Sequence, residues 1–315
     1  MSQTKKVVTV TLNPAIDQTV NIPNFKADQV NRVEREQLDA GGKGVNVASV
    51  LADYGFSVAV TGFLGAENIS IFEQLFTRKQ IDDRFVRIDG RTRTGIKIID
   101  EIHHETTDIN FPGQAPTESN LTKLFQIVEE LAVDCHWFVL AGSIPAGVSA
   151  DIYRQLVELI KTKGRAVALD TSGKALKLTL PGKPTLIKPN INELRELTGS
   201  SLNSQSRVVQ AAQRLLNRGI ETVIVSMGTQ GAIFVESDKV VLARPPEVTV
   251  KSTVGAGDAM VSGTVAGKIQ GLSLEDCARL ATAFSLTAIT QVGSGIPSLE
   301  TVENFKRQVI LEQLS

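Results

Sequence analysis

The residues best suited to chemistry lie in glycine-rich turns. Ser252-Thr253-Val254-Gly255-Ala256-Gly257-Asp258-Ala259-Met260 opens an apolar helical run. Such a turn at a helix N-terminus aims backbone N–H groups and the helix dipole at an anion. Asp258 falls in the first helical turn, where a carboxylate could accept a proton from an attacking hydroxyl. An acidic residue there also simply stabilises a helix. A dinucleotide fingerprint is not met, because its third small position, 260, holds Met.

A second turn is Asp39-Ala40-Gly41-Gly42-Lys43-Gly44-Val45-Asn46-Val47. Its glycines let the backbone approach an anion or a polyol. Lys43 adds a point charge and Asn46 a hydrogen-bonding amide. It is not a Walker A loop: position 37 is Gln, and Gly44 follows the lysine. A tight strand-to-helix turn would use the same glycines. Lys188-Pro189-Asn190-Ile191-Asn192-Glu193 has the N-x-x-E form of a capping box. Asn190 and Glu193 could instead hold water around a magnesium ion. Ser226-Met227-Gly228-Thr229-Gln230-Gly231 follows a strand and reads as a ligand-binding turn or an ordinary one. Asn13, Asp17, Arg93 and Ser143 stand near strand ends. Arg93 has the fork geometry for a phosphate, although a lone arginine is usually a solvated charge. Gly142 directly precedes Ser143, so this is no G-x-S-x-G nucleophile elbow. His103, His104 and His136 have no zinc-ligand spacing.

These turns need a frame. Apolar β-branched runs at 7–12, 57–62, 137–140, 166–169, 185–188 and 222–226 read as strands. Between them, 44–54, 149–164, 192–197 and 205–217 carry helical periodicity, with Ser149 as an N-cap. The alternation predicts an α/β domain spanning 1–315, with a mostly parallel sheet flanked by helices. Two polar stretches, 18–37 and 91–111, have strand chemistry without helices. They are expected to form a small antiparallel β-sheet that serves as a lid. Residues 247–251 read as a strand, and 300–314 as a closing amphipathic helix.

Composition excludes several functions. Hydrophobic residues are 42% and charged residues 21%, enough for a sizeable core. The net charge of −1 argues against a nucleic-acid or anionic-membrane binder. No apolar run approaches the ~20 residues of a membrane span. The first six residues lead into a strand without a signal-peptide core. Cys135 and Cys277 are far apart, which fits a reducing cytoplasmic setting rather than a disulfide scaffold. With one Trp and two Tyr, base stacking is a poor candidate activity.

Taken in order, the motifs resemble the phosphofructokinase-B group of the ribokinase superfamily. They are Thr11-Leu12-Asn13-Pro14-Ala15-Ile16-Asp17, Gly41-Gly42-Lys43-Gly44-Val45-Asn46, Gly142-Ser143-Ile144-Pro145, Lys188-Pro189-Asn190 with Glu193, and Val254-Gly255-Ala256-Gly257-Asp258. Within the group, Gly90-Arg91-Thr92-Arg93, Thr107-Asp108-Ile109-Asn110-Phe111 and Val30-Asn31-Arg32-Val33 are most similar to the bacterial enzymes acting on fructose 1-phosphate. Tagatose-6-phosphate kinases are the nearest rival, and 6-phosphofructokinases belong to the same group.

The resemblance implies a ribokinase-like fold with a β-sheet lid that doubles as a homodimer interface. It implies transfer of the ATP γ-phosphoryl group to the C6 hydroxyl of fructose 1-phosphate. Asp258 matches the catalytic base, and Gly255, Ala256 and Gly257 match the anion hole. Asp17, Gly42, Lys43, Asn46, Arg93 and Ser143 match sugar-phosphate contacts. Ser226, Met227, Gly228, Thr229, Gln230 and Gly231, with Gly257 and Asp258, match the ATP site. Asn190 and Glu193 match a Mg2+-associated pair acting through water. Many relatives also bind a monovalent cation such as K+ near the anion hole. A non-catalytic sugar-phosphate sensor on this fold would be favoured by loss of the base or the glycines, and both are present.

Overall fold

The computed structural model describes residues 6–291 and 295–314. The chain opens with β1 (Lys6–Thr11), β2 (Ala15–Asn21), β3 (Arg35–Gly41), α1 (Lys43–Asp53), β4 (Ser57–Gly65) and α2 (Ser70–Lys79). Next come β5 (Asp82–Asp83), β6 (Val86–Ile88), β7 (Thr94–Asp100), β8 (Glu105–Asn110), α3 (Glu118–Asp134), β9 (Trp137–Ala141), α4 (Ile152–Thr162) and β10 (Ala166–Asp170). Then follow α5 (Gly173–Thr179), β11 (Leu186–Ile187), α6 (Ile191–Thr198), α7 (Gln205–Leu216), β12 (Thr222–Ser226), β13 (Ala232–Val235) and β14 (Val240–Arg244). The chain finishes with α8 (Ala256–Gln270), α9 (Leu274–Ile289), α10 (Leu299–Gln308) and β15 (Ile310–Gln313).

The large sheet runs β15-β14-β13-β12-β11-β10-β9-β1-β4-β5, with β6 also on β4. From β12 through β10, β9 and β1 to β4 all pairings are parallel; β13, β14 and β15 add antiparallel. Both faces are buried, so the strands read as near-continuous apolar runs rather than as alternating ones. In β1, Val7 packs into one core with Val45, Val261 and Phe284, while Val8 and Val10 pack into the opposite core with Leu124, Leu156 and Val209. Alternate side chains thus serve α1, α8 and α9 on one face, and α3, α4 and α7 on the other.

The second sheet has the order β3-β2-β7-β8. Its strands begin at Ala15 and Thr94 and reach Gly41 and Asn110, so its bounds differ from the expected 18–37 and 91–111. Nor is it wholly antiparallel, since β2 pairs parallel with β7. Two hairpins leave the main domain in the same sense, and their departing strands lie side by side. Val20, Ile22 and Ile98, with Phe25 and Ile96, form its own small core. Asp100 stitches the loop after β2 to the turn after β7. Its carboxylate accepts the N–H groups of Asn24 (3.0 Å), Phe25 (2.9 Å), Ile102 (3.0 Å) and His103 (3.3 Å), with the His103 Nδ1 at 2.7 Å.

Three other expectations are corrected. The closing helix stops at Gln308, and Ile310–Gln313 becomes a strand because β14 offers an open antiparallel edge. Residues 247–251 form no strand: Pro245 and Pro246 precede them without N–H donors, and Lys251 donates to the Ile289 carbonyl at 2.8 Å. The N-cap of α4 is Asp151, and Ser149 Oγ donates to its Oδ1 at 2.6 Å.

Asp100→Ala would strip four amides and an imidazole of their acceptor. We expect amide hydrogen exchange at Asn24, Phe25 and Ile102 to accelerate by about tenfold or more, with β1 amides unchanged. Unchanged exchange at those amides would mean that Asp100 does not hold this sheet together.

Candidate active site

The chemistry-bearing turns converge at the carboxyl ends of the parallel strands, where open α/β sheets hold ligands. Two helix starts face one another there. Gly42 (φ 108°) precedes α1 and Gly255 (φ 77°) precedes α8. Both need backbone angles that side chains resist. Neither start has a side-chain cap, so its first N–H groups are free to meet an anion. Across 212 positions of sequence, Asn46 Nδ2 in α1 donates to Asp258 Oδ2 in α8 at 2.8 Å.

Asp258 is 6% exposed. Burial pushes its carboxyl up to about 6, and the negative charge of Asp170 pushes the same way. Lys43, the Asn46 hydrogen bond and Lys188 pull it partly back. Asp170 itself ends β10 and is fully buried. Burial would raise its pKa, but the ammonium groups of Lys188 and Lys43 outweigh that and hold it below the usual carboxylate range. Lys43 Nζ lies 3.3 Å from Asp170 Oδ2. Lys188 Nζ lies 3.4 Å from Oδ1, an ion-pair distance without hydrogen-bond alignment. For Lys43, burial opposes the charge, and Asp170, Asp258 and Glu193 together hold its pKa above the ordinary value. A side chain at Gly257 would stand 3.2 Å from Lys188 Nζ, so the second lysine lies directly under the α8 turn. The result is a proton acceptor beside an anion cradle with two cations beneath it.

A second group faces this one from the small sheet. Asp17, Asp39, Gly95, Lys97, Asp108 and Asn110 line a cavity of about 190 Å³ whose far wall includes Asn46, Ser252 and Gly255. Asp17 is pushed up to about 6 by burial; Arg93 and Lys97 lower it, and Asp39 and Asp108 raise it. Burial lowers the Arg93 pKa, and Asp17 offsets part of that. Arg93 donates to the Asn13 carbonyl (3.3 Å) and reaches Asn110 Oδ1 at 3.5 Å. Asn13 Nδ2 in turn donates to Ser143 Oγ at 3.1 Å. Lys43, which the resemblance matches to a sugar-phosphate contact, also pairs with Asp170.

Asn190 and Glu193 form the capping box of α6. Asn190 Oδ1 accepts from the N–H groups of Asn192 and Glu193, both at 2.9 Å, and Glu193 Oε2 accepts from the Asn190 N–H at 2.8 Å. One Glu193 oxygen remains for other partners. Ser226 bridges to Asn190 at the strand ends, and its N–H donates to the Pro189 carbonyl. Gly228–Gln230 is an exposed single turn of 3-10 helix, and Gly231 (φ 91°) leads into β13. Among the described residues no cluster of three or more His, Cys, Asp or Glu could hold a metal, and no helix is long and apolar enough to cross a membrane. Sequence reasoning missed Asp170 and gave Lys188 no role. A lone carboxylate closing the apolar run 166–169 does not by itself name its partners.

Known proteins resemble this chain in sequence and fold. A family profile described as pfkB family carbohydrate kinase matches residues 7–302. A 1-phosphofructokinase of Rhodobacter capsulatus is 46% identical over 99% of both chains. A 1-phosphofructokinase of Vibrio cholerae is 40% identical over 99% of this chain and 98% of its own. Among solved structures, phosphofructokinase-2 from Escherichia coli in complex with substrates and products aligns with TM-score 0.89 and 29% identity. That alignment covers 96% of this chain and 98% of the other. The same protein has been solved with potassium and as a tetrameric inhibited form.

The raised Asp258 carboxyl makes a stability prediction. The native state holds this proton more tightly than the unfolded chain, so wild-type stability falls as pH rises from about 4 through about 6. Asp258→Asn keeps an acceptor for Asn46 and carries no charge. We expect it to be more stable than wild type by about 1–3 kcal/mol near pH 8, converging below about pH 4. Denaturant unfolding at both pH values checks this; a destabilised variant at the higher pH would refute it.

Proposed function

Since the chain belongs to the pfkB family of carbohydrate kinases, we propose that it transfers the γ-phosphoryl group of ATP to the C6 hydroxyl of fructose 1-phosphate. The products are fructose 1,6-bisphosphate and ADP. The observation that carries the reading is the buried Asp258 carboxylate, bonded to Asn46 and set in the first turn of an uncapped helix. The 1-phosphofructokinases of R. capsulatus and V. cholerae support the choice of acceptor.

Phosphoryl transfer asks a protein mainly for alignment and charge neutralisation. Asp258 takes the proton of the attacking hydroxyl. The N–H groups of Ala256 and Gly257, beyond Gly255, face the transferring phosphoryl oxygens. Lys43 and Lys188, held by Asp170, add positive charge below them. Asp17, Gly42 and Asn46 hold the sugar. Arg93, steadied by Asn13 and Ser143, holds the phosphate already on it. Ser226, Met227, Gly228, Thr229, Gln230 and Gly231 cradle the nucleotide. The small sheet acts as a lid over the 190 Å³ cavity and limits water as a competing acceptor.

The donor set fits magnesium carried in on ATP and held through its own waters. Asn190 Oδ1 already accepts two amides, and only one Glu193 oxygen is left to receive a metal-bound water. The ion would neutralise phosphate charge there. A monovalent cation such as K+ near the anion hole would add positive charge beside the transferring phosphoryl group.

We also place a second copy of the chain on the outer face of the lid. Leu38, Ile96 and Ile109 lie in one cross-strand row through Gln18, and Leu38 and Ile109 are exposed. A homodimer would cover that row. Sedimentation should read a dimer for wild type and a shift to monomer for Ile109→Asp; a wild-type monomer removes the interface.

The activity test is ADP release from Mg-ATP with fructose 1-phosphate, fructose 6-phosphate and tagatose 6-phosphate. Preference for fructose 1-phosphate is expected; preference for either rival moves the specificity and keeps the mechanism. Asp258→Asn should lower kcat by ~10²–10⁴-fold with little change in KM. Wild-type kcat should fall as pH drops through about 6, as the base becomes protonated. Near-normal turnover in Asp258→Asn would remove the base.

A further inference from the structure

Asn110 belongs to the Thr107-Asp108-Ile109-Asn110-Phe111 run, which the mechanism above leaves without a role. The structure places it at the end of β8, on the inner face of the small sheet. Register sets Asp17 opposite Gly95, and Gly95 opposite Asn110, in one cross-strand row. Gly95 leaves a notch between its neighbours. A Cβ there would stand 3.3 Å from Asp17 Oδ1 and 3.5 Å from Asn110 Oδ1. All three residues line the cavity that reaches Asn46 and Gly255. Arg93 approaches Asn110 Oδ1. The Asn110 amide nitrogen has no partner among the described residues.

The competing acceptors differ at the carbon beside the phosphate-bearing carbon. In the furanose form of fructose 1-phosphate, the carbon next to the phosphate-bearing carbon is anomeric and carries a hydroxyl. In fructose 6-phosphate and tagatose 6-phosphate the corresponding ring carbon carries hydrogen. With the phosphate on Arg93, that hydroxyl falls next to the guanidinium, where the notch and the Asn110 amide lie. We propose that Asn110 is a specificity-determining residue that hydrogen-bonds the anomeric hydroxyl of fructose 1-phosphate across the Gly95 notch. This rests on the acceptor reading above and names how that choice is made. A hydroxyl met by a dedicated partner is discriminated far better than one met by an apolar wall.

The test compares fructose 1-phosphate with 2,5-anhydro-D-mannitol 1-phosphate, which lacks only the anomeric hydroxyl. Wild type should prefer fructose 1-phosphate in kcat/KM by about tenfold or more. Asn110→Ala, at an exposed position on an edge strand, should shrink that preference to about twofold, through loss on fructose 1-phosphate alone. Gly95→Ala fills the notch, with Asp17 Oδ1 giving by a few tenths of an ångström, and should shrink it independently. Equal losses on both compounds would mean that Asn110 acts only through Arg93, and would overturn the proposal. So would a preference that survives both substitutions. A wild-type protein that turns over fructose 6-phosphate and not fructose 1-phosphate would instead sink the acceptor reading itself.

Discussion

Asp170 and Asp258 are two carboxylates buried within reach of each other's charge. Both cannot be ionised in that space without compensation. Lys43 and Lys188 supply it unequally, both pairing with Asp170, so Asp170 stays charged and Asp258 is left close to its midpoint at mildly acidic pH. One carboxylate becomes a fixed counter-charge and the other a proton acceptor. The arrangement dictates topology as well. The four groups come from α1, β10, the segment after β11, and α8, so the centre of the sheet must bring all of these to one point. Removing either lysine would leave buried negative charge, which costs more than the ion pair contributes.

The site divides along the two sheets. Proton removal and phosphoryl neutralisation rest on the large sheet and the helices above it. In the proposed mechanism the acceptor lies between these groups and the small sheet, whose Asp17, Gly95 and Asn110 line the same cavity. Such a division lets the same transfer chemistry serve different sugars, because the inner face of four short strands can change without disturbing the buried charges.

Legibility in sequence follows the range of each interaction. The turns at Gly42 and Gly255 could be read because glycine, helix start and charge are adjacent. The Asn190–Glu193 capping box is likewise local, and the apolar runs located most parallel strands. Asp170 was invisible because nothing beside it marks a lone carboxylate as the partner of lysines 127 and 18 positions away. The strand at 310–313 depends on an open edge of β14 that no local pattern announces. Parallel pairing of β2 with β7 escaped for the same reason. Each hairpin reads as antiparallel by itself, and only their mutual placement decides the rest.

That parallel pair has a consequence for how the molecule is built. Parallel neighbours cannot be joined by a tight turn, and here α1, β4 and α2 intervene between β2 and β7. The small sheet therefore cannot nucleate as a local hairpin stack. It closes only after the first crossovers have docked, which makes it a late, long-range event in folding. On a growing polypeptide, Asp17 and Asp39 would wait with half a sheet until Asn110 arrived. The inner face of the small sheet, which lines the cavity, is thus among the last parts of this half of the chain to exist.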